Sequence, residues 1–175
     1  MMFRLRLWFW CVLTAICFSA AAAWMKPLSV EELAQAADVV LHGTVVSKTV
    51  QRDAEGRIYT SVEFNIREVW KGKISRKDFR LVYGGGILGE EHATSSAQVE
   101  YEIGEEVVAY LRLTPQGNGV TLGLVQGKFH VATDAKTREK HVFNPFNGKP
   151  DTGDDRTTGR LKLADLKQRT VRSGQ

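Results

Sequence analysis

Between Ala37 and Gly72 the chain carries two long β-type runs joined by one polar turn, and this pairing leaves few folds open. The first run, Asp38 to Val50, is dense in β-branched residues. It sets Val39, Leu41, Gly43 and Val45 on one face and Val40, His42, Thr44 and Val46 on the other, which favours strand over helix. Asp53 to Arg57 supplies the turn, where Gly56 is free to take positive φ. Ile58 to Trp70 then alternates, with Ile58, Thr60, Val62, Phe64 and Ile66 expected inward and Tyr59, Ser61, Glu63, Asn65 and Arg67 outward. Apolar Val69 and Trp70 break that phase and predict a bulge or bend.

The remaining segments supply shorter pieces of the same kind. Phe79 to Tyr83, Glu106 to Leu113, Val120 to Val125, Gly127 to Val131 and His141 to Phe143 read as strands, punctuated by turns at Ile103 to Glu105, Pro115 to Gly119 and Asp134 to Lys140. Ser29 three residues before Glu32 is a capping box that opens a short helix from Val30 to about Ala37. Leu161 to Val171 reads as a second helix, with Leu163, Leu166 and Thr170 on one stripe. Gly84 to Tyr101 has no period and is expected to be a long loop. Several short strands without intervening helices predict a mainly β fold: a small closed or partly open Greek-key barrel of the OB type, with a β-sandwich as the alternative.

The first residues describe an address. Arg4 and Arg6 precede an apolar core, Leu7 to Phe18, and then Ser19 to Ala23, all small residues. This is the pattern of a cleaved leader spanning 1–23, too short in its apolar part to cross a bilayer as an anchor. The expected destination is the periplasm or the medium. The domain plan is then a barrel over 24–143, followed by a linker and basic helix over 144–175. Both cysteines, Cys11 and Cys17, fall in the leader, so neither a disulfide framework nor a thiol nucleophile is expected. Of 24 Lys and Arg the leader takes two, leaving 22 against 20 Asp and Glu. Near-neutral charge gives no electropositive groove, and no nucleic-acid partner is expected.

Ala37-Asp38-Val39-Val40, Gly43, Ile58-Tyr59 and the run from Glu63 to Lys71-Gly72 resemble the first two strands of the netrin-like domain of the tissue inhibitors of metalloproteinases. Later pieces, Gly85-Gly86 with Gly89, Tyr101 to Glu105 and Gln126 to Phe129, are similar to uncharacterised exported bacterial proteins. The inhibitor resemblance implies an OB-type barrel and a mechanism in which an N-terminal cysteine chelates the protease zinc through its amine and carbonyl. The expected new terminus here is Trp24-Met25-Lys26-Pro27, with no cysteine after it. The resemblance therefore implies the fold and leaves that wedge unfilled.

No catalytic constellation stands out. Gly84-x-Gly86-x-x-Gly89 matches a dinucleotide fingerprint, but Glu90-Glu91-His92 follows where a phosphate-binding helix should start. His42, His92, His130 and His141 lack metal-ligand spacing, and Glu90, Glu91, Glu105 and Glu106 read as solvated acids, so no metal and no cofactor is expected. The function expected is a non-enzymatic module that binds a protein, a protease in particular, through the loop starting at Gly84, Gly85, Gly86, Ile87, Leu88, Gly89, Glu90, Glu91 and His92. Tyr59 and Tyr110 are the candidate surface aromatics. A histidine-based enzyme or metal carrier and a structural envelope protein are the alternatives.

Overall fold

A computed structural model describes residues 26–74, 79–95, 99–147 and 161–174. The expected leader and most of the expected linker lie outside them. The two long runs form β1 (Val39–Arg52) and β2 (Ile58–Lys71), 14 residues each, paired antiparallel across the Asp53 to Arg57 turn. Asp53 closes that turn by accepting from the backbone N–H groups of Glu55 and Arg57, while Gly56 sits at φ +83°. Next come β3 (Arg80–Gly84), a small hairpin of β4 (Gly86–Leu88) and β5 (Glu91–Ala93), β6 (Glu106–Leu113) and β7 (Gly119–Thr121).

Five strands close on themselves in the order β1-β2-β3-β7-β6, with β6 returning to β1. All contacts are antiparallel except β3 with β7, which are parallel and meet at Leu81 and Gly119. This is the order of an OB-like Greek-key barrel. β8 (Lys128–Thr133) pairs with the first half of β6, on the edge whose second half holds β7. β9 (Lys140–Phe143) and β10 (Leu161–Lys162) extend that sheet sideways. The strand expected over Val120 to Val125 is cut short, because Gly123 and Leu124 both take left-handed φ, +61° and +57°, and start a 3-10 turn, Leu124–Gly127.

The barrel has apolar residues on both sides of its wall. Val39, Leu41 and Val45 of β1 meet Val62, Leu81, Tyr101, Val107 and Leu111 in the interior. Their neighbours Val40, Val108 and Tyr110 face outward, yet they are buried beneath α1 (Val30–Ala36) and α2 (Leu163–Ser173) with Leu33, Phe129 and Leu166. A strand buried on both faces reads as a continuous apolar run, which is why β1 alternates imperfectly.

The capping box forms as expected, Ser29 Oγ accepting from Glu32 N and the Glu32 carboxylate from Ser29 N. Lys71 Nζ donates to the Ala34 and Gln35 carbonyls at the far end of α1, where orphan acceptors attract a cation. The phase break also appears: Val40 and Leu41 face Lys71 and Val69, so Trp70 is an extra residue that turns into the outer core. The basic helix is docked by its charges, Arg169 gripping Glu31 through two bonds of 2.7 and 2.9 Å and Lys167 reaching Glu68 at 2.8 Å.

Candidate functional site

The expected loop begins with a hairpin. At its base Gly85 donates to Ile58 O at 2.9 Å and accepts from Thr60 Oγ1 at 2.7 Å. Gly86 has φ +142°, and a Cβ there would meet Thr60 Oγ1 and Val50 Cγ1 at 2.8 Å each. The chain therefore turns against the end of the β1–β2 arm so closely that only glycine fits. Gly89, at φ +63°, reverses the chain, and β4 and β5 pair through Gly86 with Ala93, Ile87 with His92, and Leu88 with Glu91. Arg52 Nη2 donates to Glu91 Oε1 at 2.6 Å and ties the second strand to the arm. This corrects the aperiodic loop: of the fingerprint glycines Gly84 ends β3 while Gly86 and Gly89 build a hairpin, and a strand follows Gly89 where the fingerprint needs a helix.

The hairpin displays an apolar side chain. Ile87 is 60% exposed, beside exposed Glu90, Glu91 and His92. Tyr59 lies half-buried on β2 opposite Gly84, its hydroxyl 3.4 Å from Gln51 Oε1. Tyr110 is no surface aromatic. It points away from the barrel interior as its strand position requires, but α2 covers it, and its hydroxyl lies 2.5 Å from Thr170 Oγ1. The two tyrosines form no stacking platform. Ser61, expected outward, is also buried.

Glu105 and Glu106 are not solvated acids either. Successive residues of a strand face opposite ways, and each carboxylate meets its own lysine and histidine. Glu105 binds Lys128 Nζ at 2.8 Å and His130 Nδ1 at 2.5 Å. Burial opposes its ionisation, but the His130 and Lys128 hydrogen bonds outweigh burial and bring its pKa down to about 2. Lys128 is itself buried, 4.6 Å above the Tyr101 ring and bonded to the Glu100 carbonyl. Burial pushes the Tyr101 phenol well above its usual range. On the other face Glu106 binds His42 Nε2 at 2.7 Å and Lys140 Nζ at 2.6 Å. Burial again works against the charge, and the Lys140 and His42 bonds again hold the carboxyl below its usual range.

Both carboxyls are thus held ionised, and neither is poised to donate a proton near neutrality. The histidines are dispersed: His42 on the helix-covered face, His130 against Glu105 and Phe143, His92 on the hairpin and His141 on β9. Among the described residues no group of three or more His, Cys, Asp or Glu is placed to hold a metal ion. The two Glu-Lys-His clusters escaped sequence reasoning. Their one signal was the adjacent Glu pair entering an alternating strand, which says that the acids part but not what each meets. No protein-family model matches the chain, and no curated protein matches it.

Proposed function

We propose that this chain is an exported, non-enzymatic binding module that engages a protein partner through the β4–β5 hairpin. The observation that carries the reading is Ile87, a large apolar side chain held 60% exposed on a hairpin anchored at both its strands. An anchored loop loses little conformational entropy when it docks, and binding residues fall disproportionately on loops held by a rigid scaffold. Export rests on the leader pattern of residues 1–23.

The resemblance to the netrin-like domain makes a protease the first partner to look for, and the OB-like strand order is compatible with that fold. Because no cysteine follows Cys17, inhibition of that kind would run through the hairpin instead of an N-terminal chelate. The test is a comparative capture. Protein lacking the leader, and its Ile87→Asp variant, are immobilised and exposed to the extracellular fraction of the source at low and high salt. A salt-resistant partner held by the parent and lost by Ile87→Asp, at unchanged thermal midpoint, is the expected result. Equal capture by both proteins removes the hairpin from the proposal.

A further inference from the structure

The arm that seats the hairpin also has an open side. β6 accompanies β1 only as far as Val45, which donates to Glu105 O and accepts from Gly104 N. Beyond it Val46 bulges out, and Ser47 to Arg52 pair, among the described residues, with β2 alone. Asp53 N–H bonds to Arg57 O across the turn, so the alternation of an antiparallel ladder turns Ser47, Thr49 and Gln51 toward β2. It turns the N–H and C=O groups of Lys48, Val50 and Arg52 the opposite way. Among the described residues those groups meet no backbone partner. The result is an edge seven residues long, about 20 Å at roughly 3.3 Å per residue.

The geometry points to this edge as the place where a partner polypeptide adds an extended strand. The inference rests on the binding-module reading and names the form in which the partner presents itself. An unpaired strand edge offers main-chain hydrogen bonds to any extended segment, and the flanking side chains select among segments. Here Lys48 and Arg52 project on one face of the edge, each held by an exposed carboxylate, Glu102 at 3.5 Å and Glu91 at 2.6 Å. Exposed ion pairs contribute only about 0.2–1 kcal/mol, so an incoming carboxylate can replace Glu102 at small cost, and the several N–H donors of the Arg52 guanidinium let it take a second carboxylate while still holding Glu91.

At the other end Val46, the extra residue of a bulge, is 48% exposed. The bond from Gly104 to Val45 brings Ile103, 64% exposed, to the same end. The segment that fits is extended, with acidic residues opposite Lys48 and Arg52 and an apolar residue at the Val46 end. A second copy fits poorly, because antiparallel self-pairing centred on Val50 sets Lys48 against Arg52 twice.

The probe is a library of linear nine-residue peptides displayed on phage, selected on the leader-free protein. Enriched peptides are expected to carry two acidic residues four positions apart and to slow amide exchange at Lys48, Val50 and Arg52, which exchange fast in the free protein. Lys48→Pro removes an amide that has no partner among the described residues, so it should weaken the peptide at least tenfold and leave the thermal midpoint unchanged. Lys48→Ala should weaken it less and mainly at low salt. Peptides that bind the parent and Lys48→Pro alike, or no enrichment at all, overturn the inference. Loss with Ile87→Asp alone leaves the hairpin reading standing and removes the edge. A concentration-dependent dimer abolished by Lys48→Pro assigns the edge to a second copy and also overturns it.

Discussion

Glu105 and Glu106 share a peptide bond and little else. Each carboxylate crosses to a different side of the sheet and finds a lysine and a histidine, from β8 alone for Glu105 and from β9 and β1 for Glu106. For Glu105 the consequence is a defined acid sensitivity. Its folded pKa, about 2, lies below the unfolded value near 4.3, so its contribution is complete above pH 5 and disappears as pH falls towards 2. A shift of that size corresponds to about 3 kcal/mol. Urea unfolding of Glu105→Gln should show a loss of that order at pH 7, closing steadily between pH 5 and 2. A gap that stays constant over that range would mean that the cluster stabilises by shape and not by charge. Little of this was legible beforehand, because Lys128 and His130 reach Glu105 only through the pairing of β8 with β6. The outward direction of Tyr110 was legible from alternation. Its burial was not, since the helix that covers it lies 60 residues further along the chain.

Among the elements, the long arm, the capped first helix and the bulge at Trp70 were visible because each is written locally: a period of two, a serine three residues before a glutamate, and a phase break. The hairpin was invisible because its seat is remote. Three residues per strand carry no period, and what holds them is the fit of Gly86 against Val50 and Thr60. Gly86→Ala tests that fit, placing a Cβ where two side-chain atoms already stand and where left-handed φ is unfavourable. The expected loss is about 1–2 kcal/mol, accompanied by rapid amide exchange at Ile87 and His92 with the β1–β2 ladder still protected. If the hairpin amides remain slow, the glycine is not what seats it.

At the scale of the molecule, the two ends of the described chain meet on one face of the barrel. Arg169 of α2 holds Glu31 of α1, 138 residues away, and Leu166 enters the same outer core as Leu33. Leu166→Ala removes a fully buried side chain from that seam and should cost about 2–5 kcal/mol, read as a lower urea midpoint together with a change in Trp70 fluorescence. A midpoint shift under about 0.5 kcal/mol, the usual size of a surface substitution, would show that α2 rests on the barrel without supporting it. The order of the elements along the chain imposes a further demand on this arrangement. The helix α2 follows every barrel strand in the chain, so Val40, Tyr110 and Phe129 are only partly covered until it arrives. A barrel that has closed before α2 docks therefore shows a sticky apolar seam to its surroundings, and the last helix acts as the seal.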